Sequence, residues 1–148
     1  MKKIVTKILI EARPEQVWQA LTNFSEIGSW NPFIKEISGE GSVGAQLKVI
    51  LQPKPGQEMK FEPEVLVWKE NQQFEWLGKL WIKGLFDGNH YFHLEETAEG
   101  HTLFHHGERF TGILVGILMA MIGKQTEQNF EAMNAAIKQK AEAMVAST

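Results

Sequence analysis

Apolar residues in this chain alternate with a period of two through most of its length, and in the last third they switch to helical spacing. Phe130, Met133, Ile137, Ala141 and Met144 recur every three or four residues, with Lys138, Gln139, Lys140 and Glu142 between them. That spacing predicts a long amphipathic helix beginning near Lys124 or earlier. Before it, alternation predicts strands at residues 34–38, 45–51, 60–69, 73–80, 88–96 and 102–111. Their links carry turn residues: Gly39 and Gly41, Pro53 to Gly56, Glu70-Asn71-Gln72, Gly84, and Glu99-Gly100. Links this short join antiparallel neighbours. A further strand opens the chain at about residues 3–11, with Ile4, Thr6, Ile8 and Ile10 on one face. Pro14 then suits the first turn of a helix carrying Val17, Trp18 and Leu21, and a second short turn is expected at residues 25–28. The apolar face of the last helix needs a large surface to cover it, and only the sheet offers one. The expected fold is therefore α+β: one domain over residues 1–148, a curved seven-stranded antiparallel sheet wrapped around a long C-terminal helix, with two short helices after the first strand.

Composition narrows the function. The chain has 148 residues, 43% of them apolar, which is enough for a core without staples. It has no cysteine, which excludes disulfide scaffolds, thiolate zinc sites and cysteine nucleophiles. A net charge of −3 argues against a nucleic-acid partner, because such proteins carry a basic excess. The longest uncharged apolar run, residues 112–123, falls short of the roughly 20 residues that span a bilayer, so no stable membrane insertion is expected. Lys7 interrupts the apolar run after Lys2 and Lys3 and no cleavage site follows, so the start reads as a strand and the protein as cytoplasmic. Five Trp and nine Phe against one Tyr call for a thick core or an apolar pocket.

The hairpin at residues 88–111 carries the chemistry. His90, Phe92 and Leu94 share one face of its first strand, and Phe104, His106, Glu108 and Phe110 share one face of its second. The phenylalanines mark both faces as inward. His90 then lies opposite either His106 or Glu108, and in both registers His90, His106 and Glu108 are neighbours on the inner face. Inward positions on other strands are read as Leu47, Val49 and Leu51; Phe61, Pro63, Val65 and Val67; and Phe74, Trp76 and Gly78, leaving Leu66, Trp68 and Leu77 outside. The single Tyr91, with His93, His105 and Arg109, faces outward.

These residues resemble those of the START/Bet v-like superfamily, also called SRPBCC, and are closest to its bacterial polyketide cyclase/dehydrase-like members. The likeness rests on Val17-Trp18 with Leu21, Trp30-Asn31-Pro32-Phe33, Phe61-x-Pro63-x-Val65 and Phe74-x-Trp76-x-Gly78. It rests also on Phe86-Asp87-Gly88-x-His90-x-Phe92-x-Leu94 and His106-x-Glu108-x-Phe110-x-Gly112. The resemblance implies a helix-grip fold with a deep cavity between sheet and helix, in a superfamily whose members bind apolar molecules, cyclise polyketides or act as co-chaperone domains. It implies no shared catalytic residues.

Three functions stay open. The leading expectation is binding of a small hydrophobic or aromatic molecule, lipid-like or polyketide-like, with Trp30, Phe61, Trp76, Phe92, Phe104, Phe110, Leu118 and Met119 lining the pocket. His90, His106 and Glu108 would anchor one polar group or simply hold the hairpin. A second is a cyclase or dehydratase in which these three are the catalytic candidates, histidine being suited to proton transfer near neutral pH. A third is an interaction module using the apolar residues 112–123, which would serve as a pocket mouth, a homodimer face, a membrane-touching lid or buried first turns of the last helix. Residues 80–86 form a second apolar link. Two histidines and a carboxylate also match non-haem metal ligand sets, but no His-x-x-x-His helix accompanies them, and neither a metal nor another cofactor is expected. GxGxxG, P-loop, GxSxG and HExxH patterns are absent from the sequence.

Overall fold

The computed structural model describes residues 1–79 and 82–147. Leu80 and Trp81, parts of the expected strand at 73–80 and of the apolar link at 80–86, lie outside the described residues. The elements are β1 (Lys2–Ile10), α1 (Pro14–Thr22), α2 (Ile27–Trp30), β2 (Ile34–Ser38), β3 (Lys48–Lys54), β4 (Gln57–Phe61), β5 (Glu64–Lys69), β6 (Gln73–Lys79), β7 (Asp87–Glu96), β8 (Thr102–Thr111) and α3 (Val115–Ala146). All paired strands are antiparallel, in the orders β1-β8-β7-β6-β5 and β2-β3-β4.

The expected strand at 60–69 is β4 and β5, interrupted at Glu62-Pro63. Proline has no N–H for a ladder, and the chain bends there. Pairing nevertheless keeps one register through the interruption: Leu51 faces Met59, Val49 faces Phe61, and Gln46 faces Glu64. Leu47 N–H donates to the Pro63 carbonyl (2.9 Å), and Val65 N–H to the Ala45 carbonyl (2.8 Å). The bent β4–β5 segment thereby joins both sheets into one curved surface. Counted as one strand, it restores the expected seven.

The alternation read for β5 needs correction. A bulge between Val65 and Val67 makes Leu66 the extra residue: Val65 faces Trp76, while Trp68 faces Phe74. A bulge inverts the face of every residue beyond it. Trp68 is thus turned inward, edge-on to Trp18 (5.1 Å between ring centres) and to Phe74 (4.9 Å).

Helix α3 has 32 residues, about 48 Å at 1.5 Å per residue. It starts nine residues before Lys124 and packs on β1, β8 and α1. Its buried positions are uneven. After Val115, burial resumes only at Phe130, Met133, Asn134, Ile137 and Ala141, a stripe spaced by three and four. The first turns are not the buried ones that residues 112–123 allowed as their simplest reading: Ile117 is 66% exposed and Met121 76%. Gly112 makes the entry to the helix. Its φ is +125°, and a Cβ there would lie 2.4 Å from the Leu85 carbonyl oxygen.

Candidate functional site

Strand register decides which side chains meet. His90 pairs with Glu108, Phe92 with His106, and on the other side of β8, Thr6 pairs with His106 and Ile4 with Glu108. Of the two registers the sequence left open, this is the one that sets His90 opposite Glu108. Helix α3 lays Asn134 over the same point. Thr6, His90, His106 and Asn134 are all buried, at 8% exposure or less, while the Glu108 side chain keeps 16%.

Four of these side chains form one hydrogen-bonded chain whose direction is fixed from its inner end, and Glu108 lies beyond its last member. Thr6 Oγ1 lies 2.6 Å from the His106 carbonyl oxygen. A carbonyl only accepts, so the hydroxyl donates there and its lone pairs face Asn134 Nδ2 at 2.9 Å. The Asn134 amide oxygen is then turned to His106 Nδ1 at 2.8 Å, and that nitrogen carries a proton. Burial, with His90 beside it, holds the His106 pKa well below the ordinary 6.5, although its bond to Asn134 pulls the other way. The ring is neutral, so Nε2 accepts, and His90 Nε2 donates to it across 2.8 Å. His90 Nδ1 stands 3.4 Å from Glu108 Oε1. A buried polar network satisfied at each member is rigid, and this one ends at the Glu108 carboxyl group, which reaches solvent.

Backbone chemistry makes room for that end. Gly88 lies next to His90 on the inner face, and a Cβ there would sit 2.0 Å from Glu108 Oε2. Gly88 pairs with Gly78, which in turn faces the Phe61 ring.

Aromatic rings pack around the network. Phe130 stacks on His106 (4.3 Å, 14° between planes), and Trp76 and Phe92 lie 4.8 Å from the His90 ring. Trp76, Phe92 and Phe104 are fully buried in this cluster, and Phe61 packs edge-on against Trp76 from the small sheet. Phe110 is buried and stacks on Phe86 (5.4 Å). Trp30 is half-buried against the core, and Leu118 and Met119 are half-buried on α3. The eight residues read as a pocket lining are thus divided, three of them filling the interior beside the histidines. Open space of about 320 Å³ lies instead between the start of β1 and the first half of α3. Ile4, Val5, Gly116, Met119, Ala120 and Gly123 are among its walls. Ile4, one of its walls, is the partner of Glu108 on β8.

Thr6 and Asn134 had not been read as site residues. Both left a signal, a polar residue at a position whose neighbours on the same face are apolar: Ile4 and Ile8 around Thr6, Phe130 and Ile137 around Asn134. Asn31 is a third buried polar group. Its amide oxygen accepts from the N–H groups of Phe33 and Ile34, both at 2.8 Å, while its Nδ2 has no partner among the described residues. Arg109, on the outer face, is held rather than simply solvated: it lies over the Tyr91 ring and donates to Asn89. Among the described residues no group of three His, Asp or Glu side chains is arranged to hold a metal ion, and no helix is long and apolar enough to cross a membrane.

Residues 1–142 match the model of a family described as polyketide cyclase/dehydrase and lipid transport. No curated protein matches. Among solved structures, the ZhuI aromatase/cyclase from Streptomyces sp. R1128 is similar with a TM-score of 0.77 at 12% identity, over 97% of this chain and 95% of that one. TTHA0849 from Thermus thermophilus gives 0.74 at 13% identity, over 97% and 99%. Ara h 8.0201 gives 0.62 at 14% identity, over 92% and 97%. At these identities the likeness is one of fold.

Proposed function

This chain belongs to the polyketide cyclase/dehydrase and lipid transport family, and on that premise we propose that it binds a small hydrophobic molecule, lipid-like or polyketide-like, between its sheet and α3. One observation carries the reading: the buried polar chain ends at His90 and the partly exposed Glu108 carboxyl group, whose partner on β1, Ile4, is a wall of the groove beside α3. Apolar ligand surface in the groove contributes about 25 cal/mol per Å² before the costs of association. A ligand hydroxyl donates to the Glu108 carboxylate. The groove selects for shape and Glu108 for one polar group. Native mass spectrometry of freshly purified protein tests this, with release of any passenger under denaturing conditions. An apolar passenger carried by the natural chain and lost in Met119→Trp, which fills the groove, is the expected result. A passenger retained in that variant, or none captured from a panel of fatty acids and polycyclic phenols, rejects the reading.

The same pair supports a second reading, acid/base turnover of a polyketide-like substrate, because a histidine beside a carboxylate is suited to proton transfer. Turnover with a pH profile that Glu108→Gln abolishes favours it; unchanged turnover in that variant removes the assignment.

A further inference from the structure

One exposed surface takes no part in the site just described. The loop before β7 and the entry to α3 are bonded together: Ile113 N–H donates to the Gly84 carbonyl (3.1 Å), and Leu114 N–H to the Leu85 carbonyl (2.9 Å). This joins exposed apolar side chains from two segments into one face. Ile82 is 66% exposed, Ile113 79%, Ile117 66% and Met121 76%. Ile113, Ile117 and Met121 follow at intervals of four, which aligns them along one side of the helix start. Val115 is buried and Met119 lines the groove, so the outward set is the side of α3 turned away from the sheet.

The charges closest to this face are mostly basic. Residues 1–3, 80–86 and 111–126 contain Lys2, Lys3, Lys83 and Lys124 and no Asp or Glu, in a chain of net charge −3. Lys83 adjoins Ile82, and Lys124 follows Met121 by three on the same side of the helix; both are exposed. Lys2 and Lys3 stand across the groove from Gly116 and Ala120. Asp87, four residues after Lys83, is buried and accepts from Gly84 N–H, so it does not offset them. Glu127 enters only at the far end of the groove, one turn beyond Lys124.

We propose that this face docks reversibly on an anionic lipid surface, with Ile113, Ile117, Met121 and Ile82 entering the headgroup boundary and Lys83 and Lys124 contacting lipid phosphates. An apolar strip with a basic border has that chemistry. A second copy of the chain fits less well. A two-fold interface would lay the face on itself, bringing Lys2, Lys3, Lys83 and Lys124 of both copies together against Glu127 at its edge.

Co-sedimentation with vesicles tests the proposal and needs no bound ligand, so it stands or fails apart from the function proposed above. Vesicles of equimolar phosphatidylglycerol and phosphatidylcholine should retain the protein about tenfold or more better than pure phosphatidylcholine, and added salt should weaken the binding. Ile117→Ser/Met121→Ser and Lys83→Glu/Lys124→Glu should each reduce retention about tenfold or more with unchanged circular dichroism, because all four residues are exposed. Equal retention on both vesicle types, or retention that neither variant alters, overturns the proposal. So does absence of vesicle binding, whether light scattering shows a monomer or a dimer that Ile117→Ser dissociates; the dimer would assign the face to a second copy.

Discussion

Thr6 controls more than its size suggests. Its hydroxyl donates to a backbone carbonyl, and this alone turns the Asn134 amide so that its oxygen meets His106. Thr6→Val keeps the shape, leaves Asn134 Nδ2 buried without an acceptor, and should cost about 1–3 kcal/mol in urea unfolding. His106 makes a prediction about pH. Its folded-state pKa is depressed below 6.5, chiefly by burial, so below about pH 6.5 the unfolded chain binds the extra proton and the folded protein does not. The stability tied to the neutral ring is fully present above pH 6.5 and is lost as pH falls from there toward the folded value. The slope contributed by this one group is at most about 1.4 kcal/mol per pH unit. Urea midpoints measured from pH 8 downward should therefore fall below the ordinary histidine range in the natural chain and flatten in His106→Gln. Parallel curves for the two proteins would mean that His106 titrates alike folded and unfolded.

At the level of the element, α3 is one helix with two environments. From Phe130 onward it buries Phe130, Met133, Ile137 and Ala141, while between Val115 and Phe130 it has no buried residue. The same substitution should report the difference. Ile137→Ala removes a fully buried side chain and should cost about 2–5 kcal/mol, whereas Ile117→Ala should stay within about 0.5 kcal/mol. Amide exchange should agree, with protection rising along the helix toward Phe130 to Ala141; uniform protection would contradict the division. The helix itself was legible because its buried stripe has the helical period. Its start is bounded by the sequence only as Lys124 or earlier, because residues 112–123 are apolar all round and so carry no period. Strand β5 shows the other limit of pattern reading. Alternation assigned Trp68 to the outside, but the bulge at Leu66 reverses the face beyond it, and a bulge is set by pairing with β6 rather than by the strand's own residues.

In the whole molecule, the seven-strand grip was legible because each strand and each turn carries its own local signal. The bend at Pro63 that joins the two sheets depends on a ladder running from Lys54 back to Gln46, a feature of assembly. The site follows the same rule: His90, His106 and Glu108 could be grouped within one hairpin, whereas Thr6 and Asn134 reach it from 100 and 28 residues away. This separation suggests how to distinguish holding the fold from holding a ligand. A molecule that binds only the folded chain raises its melting temperature, by roughly 2.7 kcal/mol of added stability at a hundred times Kd. For a domain of this size, that is a rise of about 5–10 °C. Glu108 lies at the solvent-reaching end of the chain, so Glu108→Gln should leave the unliganded melting temperature nearly unchanged and remove most of the ligand-induced rise. Gly88→Ala, whose new methyl collides with the Glu108 carboxylate, should also remove it. Thr6→Val should do the reverse, lowering the unliganded melting temperature while preserving the rise. If all three variants shift both quantities together, the polar chain acts as one structural unit and the ligand's polar group is held elsewhere.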